Sequence, residues 1–145
     1  MRPGQEDAVA AMLRQLPKDL DLDVVPKVTG EGLREAAGLA RVTVAEDSGL
    51  LLGCCLWTMT FSSWRGCKGI YVSDLYVMQH ARGRNVGDKL LRGVAREAAA
   101  LGAGFIKLEV DVSNKLAQGF YRRRKFKYKA DDQYWVLELE DFGGF

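Results

Sequence analysis

Residues 73–101 read SDLYVMQHARGRNVGDKLLRGVAREAAAL. With the residues just before it, the opening of this stretch makes a run over 70–77 that is rich in β-branched and aromatic side chains. Such a run suits a half-buried strand. Over 86–101 the apolar positions are Val86, Leu90, Leu91, Val94, Ala98 and Leu101, a spacing that lines one face of a helix. Between strand and helix lies Arg82-Gly83-Arg84-Asn85-Val86-Gly87. A glycine-bearing turn that opens a helix presents unpaired backbone N–H groups beside the positive end of the helix dipole. Such a site binds phosphate, and Arg82 and Arg84 add positive charge. No Gly-Lys-Ser/Thr follows, so this is not a P-loop, and the three-glycine dinucleotide spacing is absent. Taken alone, the turn serves geometry as readily as binding.

Upstream, residues 41–46 alternate as a strand, Asp47-Ser48-Gly49 is a turn, and 50–61 is a long strand. Gly53 inside it marks a bulge or a close backbone approach. A loop over 62–69 carries Trp64, Arg65 and Gly66. Three strands joined by short loops predict an antiparallel meander. Further back, Val9, Met12, Leu13 and Leu16 line a helix over 5–16 that Pro17 ends. Residues 18–26 are acidic and irregular, and 29–37 form a second helix capped by Thr29 or its predecessor.

Downstream, Gly102 and Gly104 break the chain, and residues 105–112 alternate strictly as a strand. Ser113 or Asn114 caps a helix over 115–123 with Leu116, Ala117, Phe120 and Tyr121 on its apolar face. Strands over 126–130 and 133–139 flank Asp131-Asp132. This order predicts a single α/β (or α+β) domain over 1–145, with a central mixed, mostly antiparallel sheet flanked by helices.

With 145 residues, 48% hydrophobic and 28% charged, the chain reads as soluble and globular. The net charge of +2 is unevenly spread, with Arg and Lys crowding 82–129. A basic face suits an anionic cofactor as well as nucleic acid. No nucleic-acid module is recognisable, and the cations Arg122, Arg123, Arg124 and Lys125 suit a helix C-terminus. No nucleic-acid partner is expected. Three cysteines, two of them adjacent, make neither a disulfide framework nor a zinc spacing. Cys54 and Cys55 read as small buried residues on opposite faces of a strand. One histidine, His80, makes no metal site, so no metal is expected. No signal peptide or membrane span is visible, which points to a cytoplasmic protein without a membrane partner.

The 82–87 turn resembles the acyl-CoA signature of the GNAT superfamily of N-acetyltransferases, Gln/Arg-x-x-Gly-x-Gly/Ala after an Asp-Leu-Tyr-Val strand. Arg82 takes the first position and Gly87 the last. Asn85 stands at the first glycine, a departure by a residue tolerant of left-handed backbone. A second motif, Asn114-x-x-Ala117-x-x-Phe120-Tyr121, resembles the segment after the family's fifth strand. The resemblance covers roughly 41–129, and two motifs in order are far more specific than either alone.

What the resemblance implies is concrete. Acetyl-CoA would bind along Leu75, Tyr76 and Val77 and on Arg82, Gly83, Arg84, Asn85, Val86, Gly87 and Asp88, with Asn114 on its pantetheine or pyrophosphate arm. The Val77 N–H would stabilise the charge that builds on the thioester oxygen. Tyr121 would face the sulfur. A thiol of pKa about 8.5 leaves as thiolate, and a phenol beside it can supply the proton. The acceptor amine, of pKa about 10, must itself lose a proton. The strand Val72-Ser73-Asp74-Leu75-Tyr76-Val77 is most similar to the diamine and thialysine N-acetyltransferase group, with Ser73 where that group has glutamate. Asp74 and Glu109 remain as carboxylates near the strand ends. Ser73, Asp74 and Glu109 are the expected acceptor contacts, and Tyr121 and Asp74 the expected catalytic pair.

Relatives open with a strand ending like Arg2-Pro3-Gly4…Asp7, which only Met1 precedes here, so a clipped first strand is expected. The helical pair before residue 38 would wall the acceptor pocket. A homodimer is expected from the same group and from the apolar run over 134–139 with Phe142 and Phe145 beyond it. The function implied is transfer of an acetyl group from acetyl-CoA to a primary amine of a small molecule, by direct attack in a ternary complex. The alternatives are a peptide or protein amine as acceptor, or a CoA-binding module with little turnover.

Overall fold

Three long strands follow one another as an antiparallel meander: β1 (Ala40–Asp47), β2 (Leu50–Ser62) and β3 (Cys67–Val77). A short strand, β4 (Ile106–Leu108), joins β3 in parallel. This is a computed structural model, and it describes residues 1–130. The chain divides into two compact units, Met1–Glu109 and a second beginning at Val110. The two-residue turn between β1 and β2 works because Ser48 and Gly49 both take positive φ, 50° and 84°. Two left-handed residues match the twist of a tight hairpin.

Helices cover both faces of the sheet. On one side lie α1 (Glu6–Leu13) and α3 (Gly30–Glu35), with the four-residue turn α2 (Leu16–Asp19) between them in sequence. Val9, Met12, Leu13 and Leu33 pack there with Val42, Cys54 and Tyr76. On the other side α4 (Val86–Ala100) sets Val94 and Ala98 against Cys55, Trp57, Ile70 and Val72. Each fully buried large side chain contributes about 1.5–3 kcal/mol. The Trp57 indole Nε1 donates to Thr43 Oγ1 (3.0 Å), and that hydroxyl donates to Glu97 Oε1 (2.8 Å), so the buried polar atom is satisfied. No helix of the described residues is long and apolar enough to cross a membrane.

Cys54 and Cys55 fall in opposite clusters, as the strand alternation predicts. Burial pushes both thiols up to about 12. At pH 8 the folded protein should therefore expose at most Cys67, the half-buried one, to a thiol reagent, and all three after unfolding. Rapid labelling of two or three thiols in the folded state would contradict this packing. Both readings of Gly53 hold. The β1–β2 register slips between Ala45 and Glu46, leaving Leu52 as an extra residue. A Cβ on Gly53 would lie 2.5 Å from the Tyr76 carbonyl oxygen.

Several boundaries differ from the sequence expectation. The helix expected over 5–16 stops at Leu13, and Pro17 sits in the first turn of α2, where its fixed φ is compatible with a helix. The second helix ends at Glu35 and continues as a 3₁₀ turn, Ala36–Gly38. Thr29 is its cap, accepting from the Gly32 N–H at 3.0 Å. β3 starts at Cys67 rather than at 70, because Cys67, Lys68 and Gly69 pair with Ser62, Phe61 and Thr60. Of the strand expected over 105–112, the ladder among the described residues covers Ile106–Leu108. Residues 126–130 form no strand among the described residues. Residues 1–5 are not a strand; the Met1 amino group donates to the Val42 carbonyl. The turn at 131–132, the strand over 133–139 and the apolar dimer edge lie outside the described residues.

Candidate active site

The site begins with a bulge in β3. Its register with β2 passes from Trp57↔Val72 to Leu56↔Asp74, so Ser73 is extra. Before the bulge, the Ile70 N–H donates to the Phe105 carbonyl on the β4 side (3.0 Å); after it, the Met78 N–H donates to Leu52 on the β2 side (2.9 Å). Two even-numbered residues of a regular strand would face the same neighbour. The extra residue reverses them. Leu75 and Val77 therefore aim their N–H and C=O groups away from β2. On that side β4 pairs only with Ile70, Tyr71 and Val72, leaving the end of β3 open within this unit.

The same bulge exchanges the faces. Ile70 and Val72 pack toward α4 before it, and Leu75 and Val77 do so after it. Asp74 and Tyr76 thereby turn to the α1 face, where Tyr76 joins Val9, Met12 and Leu13. Asp74 is half-buried with no counter-ion among the described residues. Burial alone raises its pKa above the ordinary carboxylate range. Ser73 is exposed at the bulge, and Glu109 is exposed just past the end of β4.

The turn follows a 3₁₀ segment, Gln79–Ala81. Gly83 (φ 74°) and Asn85 (φ 59°) both take left-handed backbone, so Asn85 adopts the conformation its substitution for glycine requires. Asn85 opens α4 with no side-chain capping bond. The first N–H to bond back is that of Lys89, to Asn85 O at 3.0 Å. The N–H groups of Gly83, Arg84, Asn85, Val86 and Gly87 have no backbone acceptor among the described residues. They form a run of donors at a helix N-terminus, able to hold an anion. Val86 is buried and anchors the turn against Ala81 and Leu90. Arg84 is exposed, and Asp88 Oδ2 accepts from Arg92 Nε at 2.6 Å.

Arg82 turns inward. Its Nε donates to the Val77 carbonyl at 3.0 Å, its Nη2 pairs with Asp19, and its guanidinium lies 5.8 Å from the Tyr76 ring centroid. The Tyr76 phenol is held above its ordinary range, first by burial, then by its hydrogen bond to Asp19 and that carboxylate's charge, with Arg82 opposing. Sequence reasoning did not single out Asp19. It lies 63 positions from Arg82, and no local spacing announces such a contact.

Asn114 and Tyr121 belong to the second unit. Asn114 caps α5 (Lys115–Arg123), its Oδ1 accepting from the Ala117 N–H at 3.0 Å. Tyr121 packs edge-on between Phe120 and Phe126, with ring centroids 5.1 and 5.3 Å away. Among the described residues no cluster of His, Cys, Asp and Glu stands ready for a metal.

The model of the acetyltransferase (GNAT) family matches residues 12–126. A thialysine N-epsilon-acetyltransferase of Mus musculus is 30% identical over 141 residues, covering 88% of this chain and 82% of its own. Among solved structures, a probable acetyltransferase superposes with a TM-score of 0.79 at 21% identity, covering 97% of this chain and 96% of its own. An aminoglycoside acetyltransferase from an uncultured soil metagenomic sample, in complex with sisomicin, superposes with a TM-score of 0.78 at 15% identity, covering 95% and 93%. These two share the fold.

Proposed function

Because the chain belongs to the GNAT family of acetyltransferases, we propose that it moves the acetyl group of acetyl-CoA to a primary amine of a small molecule, by direct attack in a ternary complex. The observation that carries this reading is the run of backbone donors at Gly83, Arg84, Asn85, Val86 and Gly87, next in sequence to the open end of β3. The mouse relative, whose name gives thialysine as its acceptor, supports a small amine. The two units act as one acetyltransferase domain on this reading.

Acetyl-CoA when bound supplies an acetyl thioester. The turn holds the pyrophosphate through its N–H groups, with Asp88 in the first turn of α4 and Asn114 on the pantetheine arm. Leu75, Tyr76 and Val77 present the strand edge. The Val77 N–H, aimed away from β2, donates to the carbonyl oxygen as charge builds there. Asp74 takes the proton lost by the amine, through water, and its raised pKa suits it to that task. Tyr121 gives a proton to the departing thiolate. Ser73 and Glu109 border the acceptor. A homodimer completes the reading and rests on the family resemblance and on the apolar run over 134–139, with a reducing cytoplasm as the compartment that suits three free cysteines; light scattering tests the dimer.

A thiol-release assay with thialysine, polyamines, amino acids and peptides decides the acceptor class. Turnover of small primary amines is expected. Turnover of peptides alone would move the assignment to a peptide or protein amine. Millimolar acetyl-CoA should raise Tm by mass action, and Asn85→Gly should bind it equally or more tightly, since glycine keeps the left-handed turn and removes a side chain. No thermal shift and no turnover of any amine would overturn the proposal.

A further inference from the structure

Asp19 ends α2, and the chain from 20 to 28 that follows has no regular structure. Its carboxylate nevertheless meets two side chains from the other end of the unit. It pairs with Arg82, the residue that opens the turn, and lies near enough to the Tyr76 phenol of β3 to hold that group's pKa up. The same guanidinium holds the Val77 carbonyl at 3.0 Å. One planar fork thus spans the N-terminal segment and the last peptide of β3. Only arginine has donors fixed in two directions for this, whereas a lysine ammonium is a point charge.

The pair is not chiefly a source of global stability. Its side chains are 45% and 25% exposed, and ion pairs that open to solvent add little to folding stability. Its geometry matters more, because it is the fixed link between an irregular segment and the donor-bearing turn. We propose that Asp19 is a positioning residue that ties the segment over 19–28 to the 82–87 turn through Arg82, so that a ligand held at the turn orders that segment. The inference rests on the reading that acetyl-CoA binds the turn. Coupling is reciprocal, so ordering the segment must also tighten the ligand.

Amide hydrogen exchange of the full chain, with and without saturating acetyl-CoA, tests this. In the wild type, acetyl-CoA should slow exchange over 83–90 and, by about 5-fold or more, over 19–28. Asp19→Asn should keep the slowing over 83–90 and lose it over 19–28. Arg82→Lys, which retains the charge but not the fork, should also lose the slowing over 19–28 when compared at an acetyl-CoA concentration that saturates the variant itself, and serves if Asp19→Asn folds poorly. Asp21→Asn removes the same charge from an exposed position two residues on and should behave as wild type. Equal slowing over 19–28 in wild type and both link variants would overturn the inference, as would a loss with Asp21→Asn as large as with Asp19→Asn. Protection of 83–90 with none over 19–28 in the wild type defeats the inference alone. No protection over 83–90 defeats the cofactor reading with it.

Discussion

Tyr121→Phe is expected to lower kcat by about 10²-fold or more, the scale at which a positioned acid contributes. KM for acetyl-CoA should change little, because the proton is needed as the thiolate departs and not when the thioester binds. The substitution leaves the ring in place. Its edge-on contacts with Phe120 and Phe126, at 5.1 and 5.3 Å, are made by the ring and are each worth about 0.5–1.5 kcal/mol. A thermal melt close to wild type should confirm that α5 is undisturbed before the kinetics are read. A folded variant with near-normal kcat would mean that water protonates the thiolate and that Tyr121 only lines the site.

Asp74→Asn should have two effects of opposite sign. If Asp74 accepts the amine proton, kcat at neutral pH should fall by about 10²-fold or more. The acid limb of the wild-type profile, where activity is lost as pH falls through the raised Asp74 pKa, should disappear with it. Stability should move the other way. Burial raises this carboxyl's pKa in the folded protein above its unfolded value. The folded state therefore holds the proton more tightly, and the stability this contributes is full below the unfolded pKa and is lost as pH rises through the folded one. Asn keeps the shape without the charge, so the variant should melt higher than wild type at pH 7 and close to it under acid conditions. Loss of activity with unchanged Tm would place Asp74 in a more solvated position than the structure gives it. Normal activity with raised Tm would transfer the proton-accepting role to another group, with Glu109 next to be tested.

Local chemistry made much of this protein legible. The apolar stripe of α4 reads directly as a buried face, since Val86, Leu90, Leu91, Val94 and Ala98 are all buried. α5 spans the residues its spacing predicts and is capped by Asn114. Asn85 takes the left-handed backbone that its place in the turn demands. Edges were less legible. Whether residues 105–112 pair over their whole length depends on what lies beside them, and their alternation is the same either way. Pro17 marks a helix boundary in either reading, and only the structure shows that it begins one.

By itself, then, the sequence determined the meander, the strand-turn-helix unit and the two motifs. Each of these depends on side-chain period, turn residues or spacing within a few positions. The tertiary structure decided three things that lie beyond such reach. It placed the extra residue of β3 at Ser73, a matter of register between strands rather than of either strand's composition. That register turned Val77 to the open edge and Asp74 to the face of α1. It also brought Asp19 across 63 positions to Arg82. Alternation along a strand defines two faces but not where they exchange, and a charge in an irregular segment names no partner until the fold closes on it.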